Sequence, residues 1–281
     1  MLHGFSATDG TEKIAYIPQG IIPSLGRLTD PTYNQKHRNF VDGSPMTGDI
    51  YTGPNIETDT TPGANWKTML VGSLGAGGKG YFVLDVTNPN SFSTTDASSL
   101  VKLDRTRSTD SAMSAAAAPN CALAGMISAE QTACTKAVLE DRDIGNIIAT
   151  PVFDENNPMR TTQITRMNNN RWAVIMGNGY NSTTQRPVLL IQYLDNDMEL
   201  KRIPVVGAVD ASLADIGTGT GIASDNGLAA PRLIDLNGDG LPDIAYAGDN
   251  QGNMWKFDLT SADASNWGVA FSGQPLFTAQ G

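Results

Sequence analysis

The stretch PDIAYAGDNQGNMWKFDL, residues 242–259, carries the pattern that decides the fold of this chain. A short apolar run leads into a turn rich in Gly, Asn and Asp, and the second run carries aromatic residues and ends near an aspartate. We predict that Ala245 and Ala247 before the turn share an apolar face with Met254 and Phe257 after it. The stretch is typical of a β-hairpin.

The same pattern occurs in WKTMLVGSLGAGGKGYFVLDV (66–86) and RWAVIMGNGYNSTTQRPVLLIQYLD (171–195), and a partial copy, MLHGFSATDGTEKIAYIP, opens the chain. Glycine (29 residues) and proline (15 residues) separate the apolar runs, and helical periodicity is almost absent. Strand pairs repeated with insertions between them indicate propeller blades. We therefore predict an all-β protein, a β-propeller fragment of about four blades, in which residues 1–281 are part of a single domain.

Residues 92–145 interrupt these repeats. They include the alanine-rich run SAMSAAAAPNCALAGMIS, and alanine favours helix. We predict a partly helical insertion that projects from one blade, with a flexible low-complexity loop as the alternative. Cys121 and Cys134 both lie in it, and their spacing is compatible with a local disulfide or with two buried thiols. The cysteine pair favours an ordered insertion.

Charge and hydropathy narrow the classes of partner. The formal net charge of -10 and the pI of about 4.6 argue against a nucleic acid or an anionic membrane as partner. Apolar runs such as WAVIM are far shorter than the roughly 18 residues that span a bilayer, so we predict no membrane span. The opening MLHGFSATDG lacks the basic and apolar regions of a signal peptide. We expect any export signal to lie outside this chain.

Motifs of common enzyme classes find no support. GAGGKG at 75–80 fits the letters GxGxxG, but YFVLDV after it predicts a strand, whereas a pyrophosphate site needs a helix N-terminus. We interpret it as a glycine turn within a hairpin. Lys79 is not followed by Ser or Thr, so the run is not a phosphate-binding P-loop either. His3 and His37 belong to neither an HExxH motif nor a zinc-binding pattern. We predict no catalytic and no organic cofactor-binding residues.

The loop DLNGDGLPD, residues 235–243, has the spacing of a calcium site. Calcium takes six to eight oxygen ligands, and an EF-hand loop supplies them from positions 1, 3, 5, 7 and 9 with glycine at position 6. A plain turn needs only one or two such residues. Here Gly240 occupies position 6, and the predicted Ca²⁺ ligands are Asp235, Asn237, Asp239, the Leu241 carbonyl and Asp243.

The same loop is not a true EF-hand. Position 12, where an EF-hand places a bidentate glutamate, is Tyr246, and the flanks PRLI and IAYAG predict strands. Asp243 is the candidate to supply a direct, bidentate carboxylate instead. Hard oxygen ligands without Cys or His favour calcium over transition metals, and the tighter octahedral demand of magnesium makes it the weaker candidate.

The run NGLAAPRLIDLNGDGLPDIAYAGDNQGNMWKFDL (226–259) resembles the calcium-loop blade of the PilY and PilC family, the tip-associated adhesins of bacterial type IV pili. MLHGF, AYIPQG, FVDGSP, GGKGYFVLDVTNP and MGNGYNS occur in the same order as in that family. The resemblance implies a modified β-propeller in a large secreted protein that passes through the periplasm to the outer membrane, the cell surface and the pilus tip. It also implies the five calcium ligands named above.

Members of that family promote pilus assembly with the minor pilins, oppose retraction, and support twitching motility and attachment to host or abiotic surfaces. Calcium at this loop regulates the balance of extension and retraction in the family. Our hypothesis is therefore a non-enzymatic, calcium-regulated biogenesis and adhesion protein that acts with the pilus assembly machinery. No RGD tripeptide occurs in the chain, so integrin binding is not implied.

Two alternatives remain at the level of sequence. GNMWKFDL is similar to blade strands of quinoprotein dehydrogenases, which also use calcium, but about four blades do not readily supply their cofactor funnel. An integrin-like calcium-loop propeller that binds carbohydrate or protein predicts several DxNxDG loops, and this chain contains one.

Overall fold

The computed structural model describes residues 1–54, 56, 58–92, 95–108, 121, 125–148, 150–155, 161–195, 197–207, 209 and 225–279. Its strands are β1 (Leu2–Phe5), β2 (Glu12–Tyr16), β3 (Met46–Tyr51), β4 (Trp66–Ser73), β5 (Gly78–Lys79), β6 (Tyr81–Asp85), β7 (Val101–Asp104), β8 (Arg107–Ser108), β9 (Ile164–Arg166), β10 (Trp172–Gly177), β11 (Val188–Tyr193), β12 (Leu200–Pro204), β13 (Arg232–Ile234), β14 (Ile244–Gly248), β15 (Asn253–Asp258), β16 (Gly268–Val269) and β17 (Phe277–Thr278).

The described ranges contain few helical segments, and all but two of them span only three or four residues. They are α1 (Pro62–Asn65), α2 (Ala97–Leu100), α3 (Ser128–Arg142), a turn α4 (Ala270–Gly273), and 3₁₀ segments at Gln19–Thr29, Tyr33–Gln35, Gly75–Gly77 and Ala264–Asn266. Within the described ranges, no helix is long and apolar enough to cross a membrane. The predicted all-β class is confirmed.

Three antiparallel sheets form the blades. The first blade has the strand order β3-β4-β6-β7, the second β9-β10-β11-β12, and the third β13-β14-β15-β16, with β17 added to β15. Strands β3 and β9 contact each other, so the first and second blades meet along their first strands. The β1-β2 hairpin, which is the partial copy predicted at the start of the chain, forms a separate two-stranded sheet. The predicted β-propeller fragment is confirmed, and its blades in the described residues are these three sheets and the β1-β2 hairpin.

The register of the β14-β15 hairpin corrects one detail of the sequence pattern. Ala245 pairs with Phe257 and Ala247 pairs with Trp255, and all four side chains are buried. Met254 was predicted on this face, but it is 38% exposed. The prediction was wrong because side chains alternate along a strand, so Trp255 and not Met254 shares the face of Phe257.

The second blade is buried on both faces. All six residues of β11 are buried. Val174 and Leu190 belong to an apolar cluster shared with the first blade, whereas Ile175 and Ile191 belong to a cluster shared with the third. Each such side chain contributes about 1.5–3 kcal/mol through burial. The continuous apolar run VLLI reflects this two-sided burial, because a strand with one solvated face alternates instead.

Asn178, in the MGNGYNS run, fastens the second blade to its neighbours. Its Nδ2 donates to the carbonyl oxygens of Asp143 (2.7 Å) and Arg186 (2.8 Å). Its Oδ1 accepts from the backbone N–H groups of Val188 (3.1 Å) and Leu228 (3.0 Å). The amide is fully buried, and these four bonds use its hydrogen-bonding capacity, as burial of a polar group requires.

Gly179 follows with a left-handed φ of 68°. Its backbone forms an isolated β-bridge with Leu228, and a Cβ at this position would overlap the carbonyl of Asn146. Only glycine satisfies both the backbone conformation and the close approach. The Asn-Gly pair therefore determines how the turn of the second blade packs against the third.

GAGGKG lies inside a hairpin, as interpreted from the sequence. A 3₁₀ turn at Gly75–Gly77 is followed by the short strand β5 and then by β6, which pairs with β4. No α-helix begins here to receive a pyrophosphate at its N-terminus, so GAGGKG is not a dinucleotide-binding motif.

The predicted insertion, residues 92–145, includes part of the first blade. Strand β7 lies within that range and pairs with β6 as the fourth strand of the sheet. Beyond it, α3 is helical and the sulfur atoms of Cys121 and Cys134 are bonded, with their Cα atoms 5.5 Å apart. Residues 109–120 and 122–124, which hold the alanine run, lie outside the described residues.

The end of α3 is anchored by a buried ion-pair cluster. Asp143 is fully buried, and its carboxylate accepts from Arg186 (Nε 2.9 Å, Nη2 3.0 Å), Arg202 (Nη1 2.8 Å) and the Thr184 hydroxyl (2.7 Å). Both guanidinium groups also donate to the Val209 carbonyl. This cluster ties the helix to β12 and to the turn before β11.

Candidate calcium-binding loop

The loop at residues 235–243 connects the first two strands of the third blade. Ile234 at the end of β13 pairs with Ile244 at the start of β14, so the loop is closed by a strand pair and not by two helices. Tyr246 lies in β14 opposite Arg232, away from the loop. The predicted strand flanks are confirmed, and the loop is a β-hairpin connection.

Two glycines give the loop its course. Gly238 and Gly240 adopt left-handed φ values of 82° and 83°, which residues with a Cβ rarely adopt. The chain therefore bends twice within three residues, and its N–H groups point toward the side chain that begins the loop. Sequence reasoning had assigned this role to Gly240 alone.

Asp235 receives those N–H groups. Its Oδ1 accepts from Gly238 (2.7 Å) and Asn237 (3.2 Å), and its Oδ2 accepts from Gly240 (2.7 Å). These bonds, led by that from Gly240, hold the pKa of the Asp235 carboxyl below its ordinary value. The carboxylate is thus charged and aimed into the loop.

Asn237 and Asp239 occupy the next two alternate positions and are exposed. The Asn237 Oδ1 accepts from the Asp239 N–H (2.9 Å), and its Nδ2 donates to the Asp239 Oδ2 (3.1 Å). The other carboxylate oxygen of Asp239 accepts from the Leu241 N–H (2.8 Å). The polar side chains of the loop are therefore satisfied by the loop itself.

Asp243 stands at the base of the loop and is only 4% exposed. Its Oδ2 accepts from the Leu236 N–H (2.8 Å), while its backbone bonds to Ile234 (2.9 Å) and Leu259 (2.8 Å). The buried carboxylate holds the two ends of the loop together. Of the predicted ligands it is the most deeply buried.

The donor set fits calcium in its chemistry. The predicted ligands are three carboxylates, one amide oxygen and one backbone carbonyl, which are the hard oxygen donors that calcium prefers. Among the described residues, however, no group of three or more His, Cys, Asp or Glu side chains is arranged so that it could hold a metal ion. The carboxylates of the loop instead accept from backbone N–H groups, and a cation would have to draw them together.

One residue of the neighbouring blade reaches this loop. Asn168, in the turn between β9 and β10, donates from Nδ2 to the carbonyl oxygens of Pro242 (3.0 Å) and Leu259 (2.9 Å). Sequence reasoning missed this residue. Its only sequence signal is the run MNNN at 167–170, which predicts a turn but not the element that the turn contacts.

Comparison with known proteins places this arrangement in a family. The type IV pilus biogenesis factor PilY1 of Pseudomonas aeruginosa is 34% identical over 296 aligned residues, which cover 99% of this chain and 19% of that protein. A PilY1 homolog of Xylella fastidiosa is 30% identical over 285 residues, which cover 100% of this chain and 15% of that protein. The chain thus spans less than a fifth of the length of these relatives.

A solved structure agrees with the sequence comparison. The crystal structure of the Pseudomonas aeruginosa PilY1 C-terminal domain superposes with a TM-score of 0.58 at 30% identity, covering 99% of this chain and 43% of that chain. The family described as the PilY1 beta-propeller domain matches residues 1–111 and 154–277, on both sides of the segment that includes α3. The chain therefore belongs to the PilY1 β-propeller domain family.

Proposed function

We propose that this chain is the calcium-regulated propeller of a type IV pilus biogenesis and adhesion protein and that it is not an enzyme. The observation that carries the proposal is the DLNGDGLPD loop, whose ligand spacing, left-handed glycines and buried Asp243 lie within a blade of the PilY1 family. Its relatives are named as pilus biogenesis factors.

The regulatory element is the charge state of the loop. A bound Ca²⁺ ion supplies two positive charges against the three carboxylates of Asp235, Asp239 and Asp243. Asp235, Asn237, Asp239, the Leu241 carbonyl and Asp243 would hold the ion, and Asp235 and Asp239 now accept from backbone N–H groups of the loop. The loop in this structure is closed on its own N–H groups, and a cation would compete with them for the carboxylates and so could switch the loop.

Contacts at the base of the loop couple calcium binding to the rest of the third blade and to the second blade. Asp243 belongs both to the ligand set and to the backbone pairing with Leu259, and Asn168 links the same backbone to the second blade. We propose that these links bias contacts with the minor pilins and the pilus assembly machinery, and so promote assembly, oppose retraction and support twitching motility. Attachment to a host or abiotic surface would occur at the pilus tip, outside the cell, after passage through the periplasm.

Calorimetric titration with calcium tests the metal-binding part. We expect the chain to bind one calcium ion at this loop and Asp239→Ala to weaken binding by roughly tenfold or more, because a charged ligand is lost. Asp197→Ala, an exposed aspartate on the second blade, is the matched control and should bind as the parent does. Absence of calcium binding by the parent, or equal binding by Asp239→Ala, would contradict the proposal.

Counting surface pili tests the regulatory part. A strain that carries Asp239→Ala in the full-length protein should change its number of surface pili, whereas the Asp197→Ala strain should not. If Asp239→Ala abolishes calcium binding but leaves pilus number and twitching unchanged, the site is structural and the regulatory proposal is wrong.

A further inference from the structure

A cleft opens between the first and second blades. It is bordered by the segments that follow β3 and β9, which occupy the same position in their blades as the 235–243 loop does in the third, after the first strand. The cleft has a volume of about 340 Å³ and is lined by Tyr51, Gly53, Ile56, Arg166, Asn170 and Trp172, among others. This volume lies within the range of about 300–1,000 Å³ that is typical of small-molecule sites.

One wall of the cleft is aromatic. Tyr51 and Trp172 line it, and Trp66 packs edge-to-face against both, with ring centroids 5.6 Å from Tyr51 and 5.8 Å from Trp172. Such edge-to-face packing fixes the orientation of the rings. Tyr51 is only 8% exposed, so the ring that a ligand meets in the cleft is that of Trp172, and the C–H face of a sugar ring packs on an aromatic ring of this kind.

Arg166 lines the same cleft beside Trp172, its cross-strand partner in the β9-β10 pair, and is half-buried. Within the described part of the chain its guanidinium has neither a hydrogen bond nor an ion pair. A guanidinium that is left without a carboxylate in a chain of net charge -10 is available to an anionic ligand. Its planar fork matches the geometry of a carboxylate.

The neighbouring Arg171 is different because its side chain is fully engaged. It donates to Asp195 (Nε 2.5 Å, Nη2 2.9 Å) and to Glu199 (Nη1 2.9 Å), and its guanidinium carbon lies 3.6 Å from the centroid of the Tyr193 ring. These partners raise the pKa of Arg171, with the Asp195 hydrogen bond as the largest cause. Arg171 serves as a fixed support for the turn, which leaves Arg166 as the cation that faces the cleft.

The turn that carries the polar groups is held in one conformation. The Met167 N–H donates to the Arg171 carbonyl (2.9 Å), and the Asn170 N–H donates to the Met167 carbonyl (2.8 Å). Asn170 has a left-handed φ of 64° and is exposed at the mouth of the cleft. A site held in this way loses little conformational entropy when it binds a ligand.

We propose that this cleft binds an acidic sugar, a hexuronate unit of a glycan. The pyranose ring packs on Trp172, the carboxylate pairs with Arg166, and the Asn170 amide bonds a ring hydroxyl. The proposal goes beyond the calcium-dependent function because none of these residues belongs to the 235–243 loop. It assigns to the second blade a ligand site of its own.

Ligand-observed saturation-transfer NMR on the full chain tests whether the cleft binds an acidic sugar. The probes are the methyl glycosides of glucuronate and galacturonate, with those of glucose and galactose as neutral controls. We expect a uronide to bind roughly tenfold or more tightly than its neutral counterpart, because a charge-assisted hydrogen bond is gained. Arg166→Gln should reduce its affinity to that of the neutral sugar, and Arg166→Lys should retain part of it. Arg232→Gln, at an exposed arginine on the third blade, is the matched control and should bind as the parent does.

Thermal melting of each variant separates loss of the site from loss of the fold. Trp172→Phe, which retains an aromatic ring, should weaken binding less than Arg166→Gln. Absence of transfer to both uronides in the parent overturns the proposal. Equal binding of uronide and neutral sugar, or unchanged binding by a folded Arg166→Gln variant, also overturns it.

Discussion

The side-chain amide of Asn168 in the second blade lies 3.0 Å from the carbonyl oxygen of Pro242, at the end of the acidic loop of the third blade. The same amide nitrogen lies 2.9 Å from the carbonyl of Leu259, which follows β15. One side chain thus holds both the end of the loop and the residue that follows β15, the strand paired with β14. The relative position of the two blades and the base of the proposed calcium site are therefore linked through a single residue.

Asn168→Ala should destabilise the chain and weaken calcium binding. Two hydrogen bonds are lost and two backbone carbonyls lose a partner, so we expect a decrease of about 1–2 kcal/mol in the free energy of unfolding. The calcium affinity should fall because the base of the loop is less restrained. Urea unfolding and calorimetric titration measure the two effects separately.

Asn169→Ala is the matched control for this prediction. Asn169 bonds the Tyr193 hydroxyl (2.8 Å) and the Arg171 N–H (3.2 Å), and neither bond reaches the 235–243 loop. The Asn169→Ala variant should lower the free energy of unfolding by a similar amount without changing the calcium affinity. Equal loss of affinity in both variants would show that the effect comes from general destabilisation and not from the Asn168 link.

Asp143→Ala should be one of the most destabilising single changes in the chain. It leaves the guanidinium groups of Arg186 and Arg202 buried without their carboxylate, and breaking a buried pair in this way costs about 3–5 kcal/mol. Asp195→Ala removes the partner of the more exposed Arg171 and should cost about 1 kcal/mol or less. Denaturant unfolding of both variants tests the contrast, and similar losses would contradict it.

Reduction of the Cys121–Cys134 disulfide should act locally. Closing a loop of 13 residues stabilises by about 3 kcal/mol in the chain-entropy model. The far end of α3 remains anchored by Asp143 and by Glu140, whose carboxylate accepts from Arg105 (2.6 Å). Hydrogen exchange should therefore accelerate in the first half of α3 in a Cys121→Ser/Cys134→Ser variant, while the blade strands keep their protection. A uniform increase in hydrogen-exchange rate across the strands of the second blade would contradict this prediction.

Asp59 should confer a pH-dependent stability on the segment beside the cleft. The hydrogen bond from the Tyr51 hydroxyl, followed by those from the Thr61 N–H and the Asn65 amide, lowers the pKa of Asp59 to about 2. Because the pKa is lower in the folded state than in the unfolded state, the stabilisation is present above about pH 4 and is lost as the pH falls toward 2.

Thermal melting of Asp59→Asn at several pH values measures this contribution. At pH 7 the variant should melt a few degrees below the parent, and the difference should shrink between pH 4 and pH 2 as the parent carboxyl becomes protonated. Asp197→Asn, at an exposed position, should show no such convergence. A difference that is constant over this range would exclude the predicted linkage.

Much of the fold follows from local pattern. The three hairpins, the glycine turn at GAGGKG and the strand flanks of the 235–243 loop were predicted because side-chain alternation and turn residues act over a few positions. The wrong prediction that Met254 shares the buried face of Phe257 came from misapplying the same alternation of side chains along a strand. Strand β7 was hidden in the predicted insertion because VKLD is too short and too polar to stand out from its surroundings.

Long-range pairing decided the remaining features. Asn168 and Pro242, or Tyr51 and Trp172, are far apart in the chain, and nothing in their neighbouring residues indicates that they share a site. The order and charge of the oxygen ligands at 235–243 were readable from the sequence because ligand spacing in a tight loop is a property of consecutive residues. Which carboxylate is buried, which blade supports the loop, and which arginine faces an open cleft were decided only when the blades packed, because burial and unpaired charge depend on neighbours that the tertiary fold brings together.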